Sequence, residues 1–136
     1  MVSNAGGMNP IACASAIEAL IKKQGLDLKV GVVLGDNLLN RASDFQIDAP
    51  TEMFSKRNFP EKDSITSINA YLGAFPIAKL LNEGIDIVIT GRCVDIALTL
   101  RDFISFFNWN ENDLDLLAAG SLAGHLIECG TQVTGG

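Results

Sequence analysis

The chain has 136 residues, 48% of them hydrophobic and 19% charged, which suits one domain with its own core and argues against global disorder. Its net charge of −6 argues against a nucleic-acid binder, which needs a basic face, yet leaves room for an anion at a local arginine or helix N-terminus. No apolar run is long enough to span a bilayer, no basic stretch precedes the apolar residues Ile11 to Ile21, and three scattered cysteines without a CxxC pair fit a reduced, cytoplasmic setting.

Met1-Val2-Ser3 reads as the tail of a strand, followed by the glycine-rich turn Asn4-Ala5-Gly6-Gly7. A helix then opens with Asn9 as N-cap and Pro10 at the first helical position, and Gly25 is a natural stop. Apolar residues surround most of it, so deep burial is expected. Lys29 to Leu34 reads as a buried strand ending at Gly35-Asp36, and Asn40 to Asp63 as a long excursion, irregular or partly helical. Ser64 to Asn82 is expected as a helix, on the spacing of Ile77, Leu80 and Leu81. Ile85 to Ile89 is the clearest strand, and Thr90 to Asp95 is the turn after it. Leu100, Phe103, Ile104 and Phe107 mark an amphipathic helix.

The last helix is expected from Asn110, with Asp113 three residues on in a weak capping box. One face would carry Leu114, Leu117, Ala118, Ser121, Leu122, His125, Leu126 and Cys129, with Gly130 as the stop. Thr134-Gly135-Gly136 reads as the start of a further element. Strands alternating with helices imply an α/β fold with a mostly parallel sheet, flanking helices and right-handed crossovers. Three strands make a narrow sheet, and both ends of the chain fall within an element. The expectation is therefore one domain over residues 1–136 that forms an incomplete part of a larger Rossmann-like layered domain.

In open parallel sheets, ligands bind at the carboxyl ends of the strands. The turns Asn4-Ala5-Gly6-Gly7, Gly35-Asp36-Asn37 and Thr90-Gly91-Arg92-Cys93-Val94-Asp95 should therefore converge on one edge. The first turn offers backbone N–H groups to an anion, or is simply a tight strand–helix turn. Arg92 would clamp a carboxylate, phosphate or thioester-linked group, or pair with Asp95 or Asp86; Asp95 alternatively caps the next helix.

His125, the only histidine, allows three readings: a core histidine, a general acid/base oriented by Glu128, or a metal pair with Cys129, for which further ligands are lacking. Gly120 and Gly124 suggest close approach of another backbone or a ligand, and Cys129 reads as structural. Phe103, Phe106, Phe107 and Trp109 form an aromatic cluster divided between the core and a contact surface.

Four stretches carry a resemblance: Asn4 to Pro10 (NAGGMNP), Asn69 to Ala74 (NAYLGA), Ile87 to Arg92 (IVITGR) and Ala118 to Gly136 (AAGSLAGHLIECGTQVTGG). In this order they resemble the N-terminal domain of the acyclic terpene utilization protein A family, formerly a domain of unknown function, across essentially the whole chain. Cys93 stands where that pattern has a small aliphatic residue. The resemblance implies a longer protein, active where citronellol and geraniol are degraded through acyl-CoA intermediates. It marks Asn4, Gly6, Gly7, Asn69, Tyr71, Arg92, Asp95 and Gln132 as candidates for ligand binding, with His125 and Glu128 as candidates for catalysis. The partner it implies is a small molecule, an acyl-CoA, rather than nucleic acid or membrane, with contacts to copies of the chain or to other parts of the protein. It specifies no cofactor, metal or reaction. An enzyme of branched acyl-CoA breakdown and a non-catalytic acyl-CoA-binding or assembly domain both remain open, as does an inactive truncated piece.

Overall fold

The computed structural model describes residues 1–128 and 130–135. Cys129 and Gly136 lie outside the described residues, and with Cys129 the structural role expected for its thiol; of the element expected from Thr134, Thr134 itself is the last residue of the short 3-10 turn Gly130–Thr134. Three strands, β1 (Val2–Ser3), β2 (Val30–Val33) and β3 (Ile87–Thr90), form a parallel sheet in the order β1-β3-β2. The register sets Val2 beside Val88, and Val33 beside Thr90. Five helices accompany them: α1 (Pro10–Gln24), α2 (Ala42–Asp48), α3 (Phe75–Asn82), α4 (Ala97–Phe107) and α5 (Leu114–Glu128). The chain is thus a small α/β fold with a parallel sheet, as its strand–helix alternation implies.

Crossover direction decides which helix covers which face. The first crossover carries the chain from β1 through α1 to β2, past the place β3 will take; the second returns from β2 through α3 to β3. Right-handed connections running in opposite directions put α1 and α3 on opposite faces. Side chains agree. A Cβ on Gly31 would meet Leu80 of α3 and Ile85, so that face of β2 looks to α3. A Cβ on Gly6, at the entry to α1, would meet Ile89 and Pro10, so Ile89 looks to α1. The main core lies on the α3 side, where Val33 and Val88 pack with Ala74, Ile77, Ala97, Leu100 and Ile104.

Local signals place α1 well. Asn9 Oδ1 accepts the Ala12 N–H at 3.0 Å, Pro10 occupies the first turn, and Gly25 closes the helix at φ 67°. The deep burial expected of α1 is not found. Only Pro10 and Ala14 are buried, while Ile11 is 58% and Leu20 56% exposed, because the sheet covers one stripe of the helix and no described residue covers the other.

Two further expectations are corrected. The helix expected over Ser64–Asn82 is confined to Phe75–Asn82. Residues 65–74 form no helix, because backbone groups of residues 68–72 bond to distant turns rather than to one another: Leu38 N–H to Ile68 O, Ala70 N–H to Asp36 O, and Leu72 N–H to Arg92 O, at 2.8–2.9 Å. The last helix begins at Leu114, not Asn110, since Asp113 Oδ2 accepts both the backbone and side-chain N–H of Asn110 and so ties a separate turn.

The packed face of α5 is also rotated from the expected leucine stripe. Gly120 and Gly124 are its buried residues, whereas Leu122, Leu126 and His125 are exposed. Close approach explains this. A Cβ on Gly120 would lie 2.8 Å from Leu100 and Trp109, and one on Gly124 would lie 3.1 Å from the Ile96 carbonyl oxygen. The two glycines thus admit the neighbouring helix, as their mid-helix spacing suggests. The aromatic cluster divides as expected: Phe103 stacks on Trp109 at 5.6 Å, while Phe106 and Phe107 are exposed.

Candidate functional site

At the carboxyl edge, β1 leads toward the α1 face and β3 toward the α4 face. Such a divergence between neighbouring strands opens a crevice, the usual ligand position in open α/β sheets. A cavity of about 410 Å³ lies there, lined by Asn4, Gly7, Tyr71, Arg92, Cys93 and Asp95. A second, of about 520 Å³, spans the N-terminus of α1, the turn after β2 and the segment 65–74, and includes Met8, Ile11, Leu34, Asp36 and Asn69 in its wall. Gly7 and Arg92 line both. Each volume falls within the range of small-molecule sites.

That segment is a strap that laces the edge together. Asn69 Nδ2 donates to Asp36 Oδ2 at 2.9 Å, and Ala70 N–H donates to the Asp36 carbonyl at 2.8 Å. Leu72 then joins the turn after β3 twice, donating to Arg92 O at 2.9 Å and accepting from Val94 N–H at 3.0 Å. Asp36 is 6% exposed, and its carboxylate rests on Gly91, where a Cβ would fall 1.9 Å from Oδ1. Glycine at 91 is therefore what lets a carboxylate pass under the strap. Beneath it, the buried Thr90 hydroxyl donates to Gly91 O at 2.8 Å and lies 3.7 Å from Cys93 Sγ.

The strap carries Tyr71 to Arg92, with the phenol oxygen 3.5 Å from Nη1 and the guanidinium 5.8 Å from the ring centroid. Neither carboxylate considered as a partner for Arg92 engages it. Asp86 accepts the Lys29 N–H at 2.8 Å, and the ion pairs among the described residues are Arg41–Asp44 and Arg101–Asp102. Asp95 makes no capping bond to α4, so it is a cavity wall rather than the expected cap.

The first turn is partly self-satisfied. Gly7, at φ 47°, donates to Asn4 O at 3.2 Å, and Asn9 N–H donates to Gly6 O at 2.8 Å. Gly6 is buried and supports the turn. Among the described residues, the N–H groups of Met8 and Ile11 remain without an acceptor at the mouth of the larger cavity. They lie at the N-terminus of a 15-residue helix, whose dipole favours an anion.

Of the residues singled out from sequence, Asn4, Gly7, Asn69, Tyr71, Arg92 and Asp95 come together around these two cavities, and Gly6 lies under them. His125 and Glu128 line neither cavity; both are exposed on the last turn of α5, and His125 makes no hydrogen bond among the described residues. Gln132 is in the short 3-10 turn Gly130–Thr134, where its carbonyl accepts the Gly135 N–H at 3.1 Å, and it lines neither cavity. Asp36 was named from sequence only as part of a strand-end turn. Its value as the anchor of the strap depends on Asn69, 33 residues away, and no local signal carries that.

Glu52, which lines neither cavity, has its carboxyl held below the usual carboxylate range by the Ser55 side chain and by backbone N–H groups of Phe54 and Ser55. Among the described residues no group of three His, Cys, Asp or Glu side chains gathers as a metal site, and no helix is long and apolar enough to cross a membrane.

A parallel α/β domain with a two-part cleft at its carboxyl edge is the class that fold and site define. The chain belongs to the acyclic terpene utilisation family protein AtuA, whose family model matches residues 1–136. That name ties the family to acyclic terpene utilisation. No curated protein and no solved structure matches the chain.

Proposed function

We propose that this chain serves acyclic terpene breakdown by holding an anionic, acyl-linked intermediate, such as an acyl-CoA derived from citronellol or geraniol, at the carboxyl edge of its sheet. The observation that carries this reading is Arg92. Arg92 lines both cavities, and among the described residues its guanidinium has no carboxylate partner and hydrogen-bonds to one side chain, the Tyr71 phenol. A free guanidinium suits a carboxylate or phosphate through two parallel hydrogen bonds. The open N–H groups of Met8 and Ile11 would supply further donors to the same charge.

Proton transfer by His125 with help from Glu128 is the catalytic form of this proposal. Gly124 lies against Ile96, the neighbour of cavity-lining Asp95, so the last turn of α5 runs beside the turn after β3. A holding role without turnover is the second form, favoured by the exposure of His125 outside both cavities.

Calorimetric titration with CoA, short acyl-CoAs, geranyl-CoA and inorganic phosphate tests the reading. Saturable binding of acyl-CoAs should weaken roughly 10- to 100-fold in Arg92→Ala, as expected for one charge-assisted contact of about 1.5–3 kcal/mol. Equal binding by wild type and variant sinks the reading. Product release under saturating ligand would then separate an enzyme from a holder.

A further inference from the structure

The two cavities differ in chemistry. The smaller is walled by Asn4, Gly7, Tyr71, Arg92, Cys93 and Asp95, with no aliphatic chain among them. The larger gathers Met8, Pro10, Ile11, Leu34 and Leu39 along with its polar residues. Four of those five expose large apolar surface: Met8 92%, Ile11 58%, Leu34 50% and Leu39 37%. Apolar side chains left open around one concavity, beside a guanidinium, form a surface suited to an amphipathic molecule.

We infer that the ligand is an apolar-chain carboxylate or its thioester, bound in one direction: chain in the larger cavity, carboxyl carbon at Arg92, polar remainder in the smaller cavity. This rests on the anion-site reading of Arg92 and adds direction and chain selectivity to it. Arg92 and Gly7 are the residues that line both cavities, so the junction fixes where the carboxylate, or the carbonyl oxygen of the thioester, must lie. The aliphatic side chains are on one side of that junction, together with Asp36, Asn37 and Asn69, whose side chains already hydrogen-bond within the protein, and Asn4, Tyr71 and Asp95 are on the other. A molecule reversed in the cleft would set its chain among those polar groups, which would lose water without gaining a partner. Ile11, Leu34 and Leu39 are thus the specificity-determining residues, and the reactive end of the ligand faces Tyr71, Cys93 and Asp95.

The test is calorimetric titration of the whole protein with butanoate, hexanoate, octanoate and the branched ten-carbon geranate, and with their CoA thioesters. Affinity should rise about fourfold for each methylene that enters the larger cavity. Leu34→Ser and Ile11→Ser, both at exposed positions, should flatten that rise. Leu20→Ser, equally exposed on α1 but outside the cavity, should leave the whole series unchanged. Affinity independent of chain length, or a rise equally steep in both cavity variants, overturns the inferred direction even if Arg92→Ala abolishes binding. Binding that Arg92→Ala leaves unweakened, or no saturable binding of any probe, overturns the anion site itself and the direction with it.

Discussion

The carboxyl edge and helix α5 both depend on glycine, and they use it for different ends. At the edge, Gly91 clears space for the Asp36 carboxylate, so polar groups from the turn after β2, the strap and the turn after β3 bond to one another. In α5, Gly120 and Gly124 clear space for α4, and the gain is contact between two helices. The edge therefore fixes side chains drawn from several segments, whereas α5 fixes a helix and leaves His125 exposed at its surface. A site needs groups held from several directions, and the edge meets that condition with the residues described.

The largest test of this contrast is Gly91→Ala. Its methyl group would displace a buried carboxylate and cost the strap its anchor. Unfolding free energy should fall by about 2–4 kcal/mol in urea titrations, with hydrogen exchange rising first at Asn69–Leu72. An unchanged midpoint would mean the strap is not what holds the edge. Arg92→Ala comes next and should split the two readouts: binding weakened roughly 10- to 100-fold, stability within about 0.5 kcal/mol. A smaller effect is expected for Asp36→Asn, which keeps the shape but weakens the bond to the Asn69 amide. About 1 kcal/mol of stability should be lost, and acyl-CoA affinity should drop as Tyr71 loosens against Arg92. The smallest stability change belongs to His125→Ala, within about 0.5 kcal/mol by thermal unfolding, since the side chain is exposed and makes no hydrogen bond among the described residues. Should it also leave turnover of a bound acyl-CoA intact, proton transfer by this residue is ruled out.

What could be read in advance followed from the range of the interactions involved. Asn9, Pro10 and Gly25 act within a few residues of themselves, and α1 begins and ends where they place it. Strand–helix alternation was enough for a parallel sheet and for the convergence of its turns, because crossover handedness leaves few alternatives. The strap was missed for the opposite reason. Ile77, Leu80 and Leu81 do mark a helix, but residues 68–72 take their backbone partners from Asp36, Leu38 and Arg92, far off in the chain. The leucine stripe of α5 misled because hydrophobic periodicity weighs side-chain size, whereas the packed face there was set by how near α4 could come.

The strand order has a kinetic consequence. β3 is last in the chain yet lies between the other two, so every strand pair in the sheet waits for residues 87–90. Val2 must close a loop to Val88 before β1 gains β3 as its neighbour, a long-range contact with a large entropic cost. A ribosome releasing this chain therefore exposes the apolar residues of β1, α1 and β2 as an unpaired stretch until the central strand emerges. Throughout that interval their apolar side chains have no sheet to pack against, the condition that favours aggregation.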